Sequence, residues 1–253
     1  MARDRRDFFY KKAKVDGYRS RAAYKLKQIN EKFNIIKKGD TVIDLGASPG
    51  GWLQVAKELS GGKVVGVDIL PIEEIEGVDI IKGDIRLDRT VEKIRAKIKV
   101  GKADVVICDA APNMSGSWSY DHARSIDLAT SAFECSRKLL KNGGSFAVKV
   151  FQGDMFPGYL NKIRGFFGNV QAFSPEASRA ASAEIYVIGE ELLTDAVKMD
   201  AEYEVTIEDI GANGDGIARV NDFVVFVNNA QKGEKLKIRI RFIKPNFAFG
   251  DRV

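Results

Sequence analysis

From Thr41 to about Gly189 the chain alternates short apolar runs with stretches of helical periodicity. The runs are Thr41–Leu45, Lys63–Asp68, Val78–Ile81, Ala103–Asp109, Ser145–Phe151, Asn169–Phe173 and Glu184–Ile188. Val105-Val-Ile-Cys108 and Phe146-Ala-Val-Lys-Val-Phe151 are too continuous for half-exposed strands, so they predict buried, mostly parallel ones. Helical patterns fall between them, near Trp52–Leu59, Arg89–Lys99, Asp121–Leu140 and Met155–Phe167. This alternation predicts a doubly wound, Rossmann-like α/β sheet. After Leu193 the pattern changes. Glu202–Ile210, Gly216–Val220, Phe223–Val227 and Lys235–Ile243 read as short strands parted by turn signals, which suits a small β-barrel. The boundary falls near Glu190–Ala196, giving expected domains at residues 1–190 and 196–253.

Composition narrows the class. With 45% hydrophobic and 30% charged residues among 253, the chain is neither disordered nor a disulfide scaffold. No apolar run approaches the roughly 20 residues of a membrane span. Met1–Lys12 is charged where a signal peptide is apolar, so a soluble, cytoplasmic protein is expected. The single histidine, His122, excludes a multi-histidine metal centre, and Cys108 and Cys135 lack zinc-ligand spacing. A metal-free chain with both cysteines in the core is expected. Charge is uneven: Met1–Asp40 holds 13 Lys/Arg against 5 Asp/Glu, while the whole chain is only +5. A basic arm ahead of a near-neutral body fits a polyanion such as nucleic acid, although a solvated helical face gives the same count.

Asp44-Leu-Gly-Ala-Ser-Pro-Gly-Gly-Trp52 follows a strand and opens a helix, as a ligand-binding loop does. Gly46, Gly50 and Gly51 allow a sharp turn and close approach, but their spacing is not that of a dinucleotide loop. Pro49 removes a backbone donor, and the carboxylate of Asp44 repels phosphate while suiting a cationic amino-acid ligand. S-adenosylmethionine is therefore favoured over a nicotinamide cofactor. Asp68, 22 residues beyond Gly46, is placed to accept from ribose hydroxyls. Asp84, after the third strand, is either an adenine-side ligand or a loop residue.

Three ionisable groups sit where stability does not ask for them. Lys149 lies inside a central strand, where burial is expected to push its pKa down. Asp109 ends the strand beginning at Ala103, on the edge where such sheets bind ligands. Lys25 shares a helical stripe with Tyr18, Ala22 and Ile29, where it either snorkels or does chemistry. His122, after Trp118-Ser-Tyr-Asp at a helix start, reads as a capping or substrate-side residue.

These residues bring the chain to a family. Ser20-Arg-Ala-Ala-Tyr-Lys-Leu26, Asp44–Trp52, Cys108-Asp-Ala-Ala-Pro-Asn113, Val148-Lys-Val-Phe-Gln-Gly153 and Ser178-Arg-Ala-Ala-Ser-Ala-Glu-Ile-Tyr186 resemble the FtsJ-like ribosomal RNA 2′-O-methyltransferases. The resemblance implies a seven-stranded methyltransferase sheet and a catalytic Lys-Asp-Lys-Glu tetrad falling on Lys25, Asp109, Lys149 and Glu184. It also implies S-adenosylmethionine contacts at Gly50, Trp52, Asp68, Asp84 and Asp109. The implied substrate is a uridine ribose in 23S ribosomal RNA or the large subunit, with Lys149 as general base. Transfer RNA, or binding without catalysis, stays open. The tail resembles a TRAM RNA-binding module through Asp209–Arg219, Phe223–Val227 and Asn246-Phe-Ala-Phe-Gly250, a combination that looks archaeal. Alternation puts Lys235, Lys237, Arg239 and Arg241 on one face, suited to phosphate. No membrane or metal partner is expected, and the chain is expected to act as a monomer.

Overall fold

A computed structural model describes residues 2–98, 101–179 and 182–253, the side chains of residues 2–7 aside. Ala180 and Ala181 of the Ser178–Tyr186 motif, and Lys99 at the end of an expected helix, lie outside the described residues. Seven strands form the first sheet: β1 (Val42–Leu45), β2 (Val64–Asp68), β3 (Val78–Lys82), β4 (Ala103–Cys108), β5 (Leu140–Phe151), β6 (Phe167–Phe173) and β7 (Glu184–Leu192). Their order is β3-β2-β1-β4-β5-β7-β6, parallel except that β7 runs antiparallel to both neighbours. The winding reverses between β1 and β4, so the segments leaving these strands splay apart and open a crevice at their carboxyl ends. Because β7 is reversed, its first residue, Glu184, reaches that same edge.

Helices α1 (Ala2–Val15), α2 (Ala23–Phe33), α3 (Gly51–Ser60), α4 (Asp88–Ile98), α5 (Trp118–Leu139) and α6 (Phe156–Arg164) accompany the sheet. Leu26 and Ile29 of α2 and Leu53 and Val55 of α3 pack with Val105, Ile107 and Ala147 on one face. Ile94, Phe133 and Ile163 close the other over Val65, Phe146 and Val148. Two buried faces explain why these strands read as continuous apolar runs. Cys108 and Cys135 are buried in the second of these cores, and burial lifts their thiols to about 12 and about 11.

The second sheet holds β8 (Glu202–Thr206), β9 (Asp209–Ile210), β10 (Gly216–Val220), β11 (Phe223–Val227), β12 (Lys235–Ile243) and β13 (Phe247–Arg252). Its order is β8-β12-β13-β11-β10-β9, curled around Val205, Ala218, Val225, Ile238, Ile240 and Ala248. The expected strand Glu202–Ile210 is broken in two, and β13 is an addition to the expected set. In β13 the small residues Ala248 and Gly250 face the core while Phe247 and Phe249 face outwards, which inverts the usual hydrophobic alternation. Tyr18 corrects another expectation: it precedes α2 rather than sharing its helical stripe, with its hydroxyl on Glu58.

The sheets have separate cores; the segment after β7 is tied to the first unit by Leu193 N–H to the Phe166 carbonyl at 2.8 Å and by Arg137 to Asp195 at 2.7 Å, and Lys244 beyond β12 lies 4.0 Å from Glu191 of β7. A chain ending at Leu193 is therefore expected to unfold cooperatively, and the full chain to show two calorimetric transitions. A truncated chain lacking a transition would show that the first sheet needs the second.

Candidate active site

The register of the first sheet builds the site. Val148 pairs with Cys108 on one side, and Lys149 pairs with Tyr186 on the other, so Asp109 emerges beside Lys149. The Lys149 ammonium lies 3.0 Å from Asp109 Oδ1 and donates to the Asp109 main-chain carbonyl at 2.6 Å. Tyr186 Oη donates to the same Oδ1 at 2.6 Å. Across the Tyr186 ring, 5.8 Å from its centroid, Lys25 Nζ pairs with Glu184 Oε1 at 2.6 Å. All four charged side chains are at most 16% exposed. The structure thus brings Lys25, Asp109, Lys149 and Glu184 together as two ion pairs hinged on one phenol. Groups this buried tolerate charge only when paired, and removing one partner of such a pair typically costs about 3–5 kcal/mol.

Tyr186 is the participant that sequence reasoning passed over. Burial first, then the carboxylates of Asp109 and Glu184, push its hydroxyl well above the usual phenol range, so it stays a donor. A tyrosine within Glu184-Ile-Tyr-Val-Ile188 looks like a core residue, and only its place opposite Lys149 gives it a role. Trp52 stacks on it at 5.7 Å and donates its indole N–H to the Ala22 carbonyl at 2.7 Å, tying α3 to the segment that carries Lys25.

A cavity of about 640 Å³ opens beside this cluster, lined among others by Gly46, Ser48, Asp68, Asp84 and Asp109. Asp109 is common to cavity and cluster. At Gly46 φ is +75° and a Cβ would collide with that of Ala110, so only glycine keeps this floor open. Asp68 accepts from Ser48 N–H at 2.9 Å and Leu70 N–H at 2.8 Å, which fixes its carboxylate at the rim. Asp84 is gripped by the Arg86 guanidinium, which holds its carboxyl below the usual range. Gly50, Gly51 and Trp52 continue from the same loop into α3. There a Cβ on Gly50 would press on Arg19, whose guanidinium donates to the carbonyls of Pro49, Glu73 and Glu74.

Asp44 is fully buried beneath the loop, and neither carboxylate oxygen has a hydrogen-bond partner. Burial, reinforced by Asp109 and Asp68, pushes its carboxyl well above the usual range. A floor this rich in carboxylates, one of them orphaned, fits a cationic ligand and repels a diphosphate.

In the second sheet the basic strand differs from expectation. Lys237 and Arg239 both pair with Glu202, at 2.6 and 2.5 Å, and Arg241 lies 3.2 Å from Asp251 and 3.5 Å from Asp200. Neighbouring strands thus supply carboxylates that a single-strand pattern hides. The outward face of β11 and β13 instead presents Phe226, Phe247 and Phe249, partly exposed and in mutual ring contact at 5.6–5.7 Å.

Comparison with known proteins follows the same division. The FtsJ-like methyltransferase family matches residues 18–192, and the TRAM domain matches residues 200–253. A Methanosarcina mazei protein named ribosomal RNA large subunit methyltransferase E is 60% identical over 251 residues, covering 99% of this chain and 94% of its own. Proteins of the same name from Methanococcoides burtonii and Halobacterium salinarum are 63% and 45% identical, each covering 98% of this chain and 94% and 98% of their own. A Plasmodium falciparum crystal structure named as a ribosomal RNA methyltransferase superposes with a TM-score of 0.64 at 29% identity, covering 69% of this chain and 98% of that one.

The orphaned Asp44 makes a pH prediction. Its raised carboxyl pKa means that the folded chain holds this proton more tightly than the unfolded chain does. The stabilising contribution is therefore complete below the unfolded value and lost as pH rises towards the folded one. Without ligand, Asp44→Asn, which cannot ionise, is expected to gain stability relative to the native chain between about pH 4 and pH 8. Urea unfolding of both chains across that range measures the difference; a constant gap would mean that Asp44 does not titrate in the fold.

Proposed function

Because the chain belongs to the FtsJ-like methyltransferase family, with S-adenosylmethionine as its cofactor, we propose that it methylates a ribose 2′-hydroxyl of large-subunit ribosomal RNA using Lys149 as base. One observation carries the assignment of the base: Lys149 Nζ is held by Asp109 at the wall of the cavity, with Tyr186 fixing the carboxylate that holds it. The fit to the cofactor comes from the floor itself: the orphaned Asp44 and the rim carboxylates suit its positive charges, and Asp68 its ribose. When bound there, S-adenosylmethionine supplies an electrophilic methyl group on a sulfonium.

The residues of the chain do the rest. A 2′-hydroxyl is a weak nucleophile until its proton leaves. Lys149, once its ammonium has lost a proton to solvent, would take the hydroxyl proton through Nζ and leave the 2′-oxygen nucleophilic towards the methyl group that the cofactor supplies. The Asp109 carbonyl and carboxylate aim Nζ, while Glu184 holds Lys25 on the other side of the Tyr186 ring. Base catalysis of this type is typically worth about 10²–10⁴-fold, with alignment supplying much of the remainder. Arg124 and the basic segment around α2 give the RNA backbone a cationic approach. Large-subunit ribosomal RNA is the substrate named for the archaeal relatives, and the TRAM domain supplies a second surface for it. The absence of a membrane-length apolar helix among the described residues is compatible with a cytoplasmic enzyme acting at the ribosome.

Two measurements test this. Lys149→Ala and Lys149→Arg are both expected to abolish tritiated methyl transfer to ribosomal RNA while binding S-adenosylmethionine like the native chain, because guanidinium does not give up its proton. Substantial turnover by either variant removes Lys149 as the base.

Removal of residues 194–253 is expected to weaken RNA capture at low RNA concentration and leave turnover at saturation intact. The salt dependence should flatten by about 0.7 per lost phosphate contact on single strands. Since Lys237, Arg239 and Arg241 are already paired with carboxylates, the change should be smaller than their number suggests. Equal RNA affinity and salt slope in the two chains would exclude the TRAM domain from binding.

A further inference from the structure

Trp118 opens α5 with 50% of its surface exposed, although indole is among the most apolar surfaces a side chain offers. Its ring is held flat. The His122 imidazole lies 6.0 Å away at 19° and the Phe151 ring 6.1 Å away at 25°, so the indole runs nearly parallel to each of them. His122 is itself buried and pinned: Nε2 accepts the Met155 N–H at 3.2 Å, and Gly153 lies so close that a Cβ there would meet the imidazole at 2.7 Å. Phe151 is anchored through its N–H to Ser125 Oγ at 3.0 Å. A side chain without a function at the surface does not need two buried rings to set its plane.

The position of this plate is informative. Phe151 is the last residue of β5, two beyond Lys149, and its ladder partner is Glu184. The aromatic stack therefore begins about 7 Å along the strand from the base. Arg124, which lines the cavity, sits over the Tyr120 ring at 5.4 Å in the first turns of the same helix. An exposed flat ring, a cation that can meet phosphate and a base that needs a ribose hydroxyl together describe one bound nucleotide.

Building on the RNA methyl transfer proposed above, we propose that Trp118 is the stacking platform for the base of the acceptor nucleotide, and that the stack turns its 2′-hydroxyl towards Lys149. The base must be unpaired to lie there, so the acceptor class is a single-stranded or extruded nucleotide rather than one held in a duplex. His122 acts in this as a positioning residue, setting the plane of the indole without touching RNA.

The test uses the full chain and a ribosomal RNA fragment that the native enzyme methylates. Trp118→Leu keeps apolar cover over His122 and Phe151 but offers no aromatic face. It should lower kcat/KM for RNA by about 5- to 150-fold, the range expected for one stacked base, with S-adenosylmethionine affinity unchanged. Trp118→Phe should restore most of the loss. On the same fragment with an abasic acceptor ribose, the native and Trp118→Leu chains should become equal, because the stacking partner is gone. Trp118→Leu acting like the native chain, Trp118→Phe failing as badly as Trp118→Leu, or a Leu penalty that persists on the abasic RNA would each overturn the platform. A native chain that leaves ribosomal RNA unmethylated overturns the underlying reading as well, whereas the other outcomes leave that reading standing.

Discussion

Two lysine ammonium groups in a largely dry setting, each held by a single carboxylate, set the terms for the catalytic half of the molecule. Neither charge is tolerable alone at that depth. Lys149 must find Asp109, so β4 and β5 must be neighbours in the register seen. Lys25 must find Glu184, so α2 must pack against the edge at which β7 begins. Tyr186 joins the pairs, Trp52 backs Tyr186, and Ala22 receives the indole N–H. One electrostatic requirement thus fixes the relative positions of three strands and two helices.

A second tension runs through the same edge. Asp44, Asp68 and Asp109 converge there, and Asp44 has no partner to relieve it. Stability alone would not retain an orphaned carboxylate, since an apolar residue of similar size would pack there without a desolvation cost. The arrangement makes sense as a cradle whose compensation arrives with a positively charged ligand.

Much of this was legible in the chain itself. Continuous apolar runs marked the buried strands, the Gly46–Gly51 loop marked the ligand crevice, and lysine in the middle of a strand marked chemistry. What escaped is instructive. Tyr186 was invisible because its function lies in a cross-strand partner, which no local pattern encodes. The strand at Phe247–Arg252 went unread because small residues, Ala248 and Gly250, rather than the rings beside them, face the core. Lys237 and Arg239 looked free because Glu202, on another strand, is 35 residues away from the nearer of them. Trp52 gave a clear signal of importance, and its bond to Ala22 and stack on Tyr186 are a part of its role that only the structure shows. Local sequence specifies elements well, and it is silent about which charges will meet.

The reversal of β7 has a further consequence for the whole molecule. Its nine residues begin at the catalytic edge and end at the opposite one, a distance of about 30 Å. The second sheet approaches at that far end, where Lys244 lies 4.0 Å from Glu191 and the linker residue Asp195 meets Arg137. The catalytic cluster and the second sheet therefore hang from opposite ends of one strand. An RNA that touched both units at once would have to reach along the full length of that strand.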